Sequence, residues 1–260
     1  KNDKSTCEKT FNVTYCNDCQ KLIFHDLTQE DNDCATSFVL IKEIAKEVKE
    51  LDKDIDIYNL TYFKKGLKNY CDQQFNCDLH TAEKYWTEIE QVCVKELSDK
   101  IDLNGDPKKV DKTVLMTYGT LFTYYFGIPE HKALCYKSSD SDEFCVVDLL
   151  EKLMNYVKEV TDADPKPTLS MNFNYIIKKD GTKVPIPKKI FCGEKCLEYI
   201  SKMYISWVKE YKLSPEIIEN LYGSEDEMID NMSCKYEDKR GIIRRTSDLY
   251  LTPFRSYFLK

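Results

Sequence analysis

Glycine and proline are scarce, eight of each in 260 residues, which excludes a collagen-like repeat or a Pro/Gly-rich disordered chain. No run approaches the roughly 18 apolar residues of a membrane span, and mean hydropathy is −0.53. A serine-hydrolase elbow, G-x-S-x-G, is absent. The polar opening Lys1-Asn2-Asp3-Lys4 lacks the apolar core of a signal peptide, so a secreted form would be a mature or trimmed one. No apolar tail at the other end would direct a lipid anchor. Acids outnumber bases by 45 to 38, a formal charge of −7, which weighs against nucleic acid as a partner.

What is present argues for a folded protein. At 42% hydrophobic and 12% aromatic the chain is too apolar for intrinsic disorder. A monomer of 30.6 kDa hides roughly three quarters of its unfolded surface, enough for a core without metal or partner.

Twelve cysteines are the dominant feature: Cys7, Cys16, Cys19, Cys34, Cys71, Cys77, Cys93, Cys135, Cys145, Cys192, Cys196 and Cys234. In a reducing compartment they would mean metal or redox chemistry, in an oxidising one crosslinks. Only Cys16-x2-Cys19 has a ligand-pair spacing, and His25, His80 and His131 complete no zinc pattern. The flanks of Cys16-Asn-Asp-Cys19 lack the βαβ context of a thioredoxin-like site. Six structural disulfides, and hence a secreted, extracellular protein, are the expectation. Three glycosylation sequons agree with it, at Asn12-Val-Thr14, Asn59-Leu-Thr61 and Asn231-Met-Ser233, where chance would supply about 1.5.

Helical periodicity fills most of the chain. Apolar residues recur three and four apart from Phe38 to Leu51, from Ala82 to Leu97 and from Cys196 to Tyr211. Asp106-Pro107 reads as a cap followed by a first-turn proline, opening a helix through Val114, Tyr118, Phe122 and Tyr125 that ends at Gly127-Ile-Pro129. A further helix spans about 142–160, and the Ser214-Pro215 and Ser224 segments start short ones closed or capped in turn. Segments 19–27 and 57–70 are further helices. Asp180-Gly181 lies between short β-prone runs and predicts a two-residue hairpin over 174–184. The prolines around it, over 163–190, mark either a sub-boundary or a long decorated loop; disulfides tying the halves favour the loop. The fold class is therefore mainly α: one disulfide-stapled, multi-helix domain over 1–260 with a small β-hairpin.

Cysteines three or four apart on a helix point in parallel, so Cys16/Cys19 and Cys192/Cys196 should each reach different elements. Cys135 and Cys145 bracket a short polar loop and are expected to pair locally, with Cys71 and Cys77 next. The close pair Cys16/Cys19, with Leu134-Cys135 and Phe144-Cys145 around a Ser/Asp loop, resembles secreted cysteine-rich helical proteins of fungi. The abundance of Lys, Asn, Ile and Tyr would suit an AT-rich genome. The resemblance implies secretion and brings no catalytic residue.

His25-Asp26 has the residue types of a calcium-dependent phospholipase helix but neither a glycine-rich calcium loop nor a second aspartate accompanies it. It reads as a half-exposed histidine beside a solvated carboxylate. Asp102-Leu-Asn104-Gly105-Asp106 and Asp52-Lys-Asp54-Ile-Asp56 lack the glycine and glutamate an EF-hand requires. Asp140-Ser-Asp142-Glu143 is an acidic turn able to hold a cation only loosely. No cofactor or metal is expected. Tyr118, Phe122 and Tyr125 share a core stripe, whereas Tyr124 lies off it and is a candidate exposed contact. Residues 235–260 carry seven bases against three acids, including Arg240, Arg244 and Arg245, a segment suited to docking on the acidic body or contacting an anionic partner. The expected function is a binding or structural module for an extracellular protein or carbohydrate. A secreted hydrolase with an unassigned carboxylate pair is the alternative, and a carrier of apolar ligands a third.

Overall fold

The structure, a computed structural model, describes residues 6–29, 32–48 and 56–234. Within them the helices are α1 (Cys7–Phe11), α2 (Asp18–Thr28), α3 (Thr36–Val48), α4 (Thr61–Cys71), α5 (Leu79–Val92), α6 (Lys112–Tyr125), α7 (Gly127–Leu134), α8 (Cys145–Val160), α9 (Lys195–Glu210), α10 (Pro215–Tyr222) and α11 (Glu225–Met232). Short residues with oxygen side chains set many of the starts. Asn17, Asp78, Asp111 and Ser224 each accept a backbone N–H from the first turn that follows, donors a helix otherwise leaves unpaired.

The helix around the aromatic run differs from its expected bounds at both ends. Asp106 and Pro107 open only a 3-10 turn, Pro107–Lys109, because Val110 is extended (φ −84°, ψ 142°). Asp111 then caps α6 itself, accepting from Val114 N at 3.0 Å. At the other end Phe126 breaks the helix and Gly127 starts α7. Pro129 falls in the first turn of α7, where its missing N–H has no helical carbonyl to meet. Gly127 is required by close approach: a Cβ there would lie 2.2 Å from the Cys34 carbonyl oxygen.

α6 is the axis of the core. Tyr118, Phe122 and Tyr125 are buried as their spacing predicts, and so are Leu121 and Tyr124. Polar side chains on the buried faces of such a helix must find partners. Thr117, Thr120 and Thr123 do so by donating their hydroxyls to the carbonyls four residues back, at 2.7 to 2.8 Å. Around Tyr125 pack Trp86, Phe126 and Trp207, and its hydroxyl donates to the Tyr211 carbonyl.

The sheet is antiparallel and three-stranded: β1 (Thr168–Leu169), β2 (Tyr175–Ile177) and β3 (Lys183–Pro185), in that order. β2 and β3 form the expected hairpin, yet its turn is not the two-residue type. Gly181 N donates to Lys178 O and Lys178 N to Thr182 O, with Gly181 at φ +85°. Lys179 and Asp180 thus form the centre of the turn and Gly181 is the glycine bulge that follows it. The segment is bound to what precedes it. Tyr58 and Tyr156 donate to the carbonyls of Asp164 and Pro185, while Met171 N and Asn172 N donate to Gly105 O and Leu103 O.

All twelve cysteines are paired: Cys7–Cys16, Cys19–Cys93, Cys34–Cys77, Cys71–Cys135, Cys145–Cys196 and Cys192–Cys234. The close pairs Cys16/Cys19 and Cys192/Cys196 do diverge to different elements. The two expected local pairs do not form. A backbone bridge, Lys137 to Phe144, already closes the loop between Cys135 and Cys145. Cys145 enters the core as the first residue of α8 and meets α9, and Cys135 closes α7 onto the end of α4.

Candidate functional site

A concave surface forms where the segment after α5 turns back across the start of α6. It encloses about 450 Å³ and is lined by Asp99, Lys100, Ile101, Asp102, Gly105, Asp106, Lys109, Val110, Asp111 and Val114. Four carboxylates rim an aliphatic floor, with two lysines among them. Asp102, Asp106 and Asp111 each spend one oxygen on a nearby backbone N–H, of Asn104, Lys108 and Val114 respectively. This is why the Asp102–Asp106 stretch, read for calcium, is instead a set of turns and caps. The carboxylate of Asp99 is exposed on the rim. Tyr118 fixes that rim from below: its hydroxyl donates to Leu97 O at 2.8 Å and lies 3.0 Å from Asp99 O. Burial pushes this phenol up to about 12. Asn220 of α10 holds the same segment, donating to Leu97 O and accepting from Ile101 N.

Three of the large exposed apolar side chains lie on the segments that lead into this pocket. Among the described residues, four large hydrophobic side chains are strongly exposed: Tyr15 (85%), Val94 (59%), Tyr199 (51%) and Val92 (41%). Tyr15, Val92 and Val94 lie on two segments joined by the Cys19–Cys93 disulfide and by Asn17 Nδ2 donating to Glu96 Oε1 at 3.0 Å. Glu96–Ser98 is the 3-10 turn that leads into the pocket rim. Tyr199 stands apart, stacked on Tyr136 at 4.5 Å.

Tyr124 is not a surface contact. It is wholly buried, stacked on Tyr85 at 4.6 Å, and its hydroxyl accepts from Asn32 Nδ2 at 3.1 Å. Lying off one stripe of α6 placed it on another, since that helix is covered over more than one face and its open side runs instead past Lys112 and Gly119. Arg240, Arg244 and Arg245 lie outside the described residues. Among the sequons, Asn12 and Asn59 are exposed and Asn231 is half-buried.

Two of the buried carboxyls, Asp26 and Glu130, are pushed well above the ordinary carboxylate range. Asp26, whose sequence context predicts a solvated carboxylate, is 4% exposed, while the adjacent His25 is exposed. Helical spacing explains it: Asp26 falls three residues after Ile23 and seven after Cys19, on the inward face of α2. Burial pushes its carboxyl up to about 7, and the charge of Glu88 on α5 adds to the rise. Glu130 on α7 is 1% exposed and accepts from Ser37 Oγ at 3.1 Å. Desolvation pushes it up to about 8. The nearest approach to a metal-ligand set among the described residues is Cys19, Cys93 and Glu96, but its two sulfurs are bonded to each other.

These features define a class, a mainly α protein stapled by six disulfides, with an acidic pocket and a few strongly exposed apolar side chains. No family model matches the chain, and neither does any curated protein or solved structure.

Proposed function

We propose that the protein is a secreted, disulfide-stapled binding module, and that its partner is an extracellular protein presenting a basic side chain within an apolar patch. The observation that carries this reading is the exposure of Tyr15, Val92 and Val94 on two crosslinked segments that lead into a pocket with an acidic rim and aliphatic floor. Apolar residues exposed together commonly mark interaction sites, and an aromatic among them suits a protein contact. A pocket of this make-up suits the ammonium or guanidinium of Lys or Arg together with its methylene stem. The six closed crosslinks support an oxidising compartment, and the resemblance to fungal secreted cysteine-rich proteins agrees with it.

The test titrates a short peptide alternating Arg and Leu into the intact protein by calorimetry, with a chitin oligosaccharide in parallel. Asp99→Asn and Val94→Ser should each weaken peptide binding a few-fold, as expected for single partly exposed contacts worth about 1 kcal/mol or less, and salt should weaken it further. Glu151→Gln, remote from the pocket, should leave it unchanged. Equal affinity in all variants, or binding of the sugar alone, would sink the protein-partner reading.

Asp26 favours a second reading, the hydrolase. A buried carboxyl held up to about 7 has the protonation a general acid needs near neutral pH. That reading requires Asp26→Asn to abolish turnover of chromogenic glycosides by a wild-type protein that cleaves them.

A further inference from the structure

The three sequons differ in the fold, and the difference bears on which of them carries sugar. Asn12 ends α1 in left-handed geometry (φ 53°), exposed, with exposed Thr14 two residues on. Asn59 is exposed in the turn before α4, where its Oδ1 accepts from the N–H of Thr61, the sequon's own threonine, at 3.1 Å. That bond engages the amide oxygen and leaves Nδ2, the atom a glycan bonds, on the far side of the carboxamide. Asn231 has other surroundings. It is half-buried in the last turn of α11, between Met228 and Met232 of the core, and Ser233 of its sequon is 6% exposed. The end of α11 is also tied inward, since Ser201 Oγ donates to Met232 O and Cys234 bonds Cys192.

We infer that Asn12 and Asn59 are N-glycosylation sites of the folded protein and that Asn231 is not. The inference rests on the extracellular reading above. In the step it requires, the carboxamide Nδ2 bonds the anomeric carbon of a lipid-diphosphate-linked oligosaccharide; the amide loses one proton and the lipid diphosphate leaves with the electron pair of the broken bond. A bulky, hydrated glycan is accommodated where the attached side chain and its neighbours face water. At Asn12 and Asn59 they do. At Asn231 a glycan would compete with the packing of α11 on α9 and α10 and with closure of Cys192–Cys234.

The experiment expresses the whole chain behind a cleavable leader in a eukaryotic secretory host. Intact mass is then measured before and after enzymatic deglycosylation, on non-reduced and on reduced, alkylated samples, together with Asn12→Gln, Asn59→Gln and Asn231→Gln. The expected result is two glycans on the six-disulfide form, one removed by each of the first two substitutions and none by the third. A glycan at Asn231 in that form, or bare Asn12 and Asn59 on a molecule with all six disulfides closed, overturns the inference while leaving the binding-module reading standing. Free thiols in the secreted product would strike that reading itself, whatever the sugars show.

Discussion

Tyr124 shows what a single hydroxyl does in a dry interior. Its ring stacks on Tyr85, and its oxygen accepts the Asn32 amide, whose own Oδ1 accepts from Cys34 N. Tyr124 thus anchors the turn that presents Cys34 to Cys77. Burial pushes the phenol well above its ordinary range, so it stays protonated and able to donate as well as accept. Tyr124→Phe keeps the ring but leaves a buried Asn32 donor without its acceptor, a loss of about 1–3 kcal/mol. Urea denaturation should show a lower midpoint at unchanged slope. A midpoint equal to wild type would mean that water or a rearranged Asn32 replaces the bond.

At the scale of elements, Gly127 decides how α6 gives way to α7. The chain turns at Phe126, and α7 starts against the backbone of Cys34 closely enough that Thr36 Oγ1 donates to Gly127 O at 2.7 Å. Gly127→Ala adds a methyl where the Cys34 carbonyl already stands. The backbone must shift, and a cost of about 1–3 kcal/mol, the usual range for overpacking, is expected. Thermal unfolding should reveal it as a lowered Tm, and an unshifted Tm would show that α7 moves freely on the Cys34 turn. This contact also marks the limit of what the sequence reveals. The stripes of α3, α5, α8 and α9 were legible because one face of each is apolar. The break at Phe126 was not, because Gly127-Ile-Pro129 punctuates an ending and a beginning with the same residues. Disulfide partners were illegible for a related reason: Cys71–Cys135 and Cys145–Cys196 depend on which helices neighbour one another, which no local spacing encodes. The pocket depends on that too, since its rim is held by Tyr118 and by Asn220, residues far apart in the chain. The burial of Asp26 follows from the periodicity of α2, whereas the adjacent pair His25-Asp26 does not by itself show which of the two faces the core.

For the whole molecule, the buried carboxyls bias stability toward mildly acid conditions. Glu130 is pushed up to about 8 and Asp26 to about 7, both chiefly by burial, and Glu90 shifts the same way. In the unfolded chain these groups lose their protons in the ordinary carboxylate range, so above it the fold retains protons that the unfolded state has released. Their contribution is full below that range and is lost as pH rises through the folded values, by about 1.4 kcal/mol per pH unit for each proton retained. His131 acts in the opposite sense, because burial lowers it: its contribution is present above its ordinary value of 6.5 and is lost as pH falls from there through the lowered folded value. The lowered Glu43, Asp78 and Asp180 act at still lower pH. Between about pH 6.5 and 8, then, the buried carboxyls prevail, and Tm should fall with rising pH across that interval. Glu130→Gln supplies the control. The amide keeps an oxygen for the Ser37 hydroxyl at 3.1 Å but cannot ionise, so the slope over this interval should flatten while the midpoint at pH 8 rises relative to wild type. A variant that follows the wild-type curve in parallel would show that Glu130 is not the group that titrates. A wild-type Tm independent of pH from 6.5 to 8 would mean that neither carboxyl is held protonated by the fold.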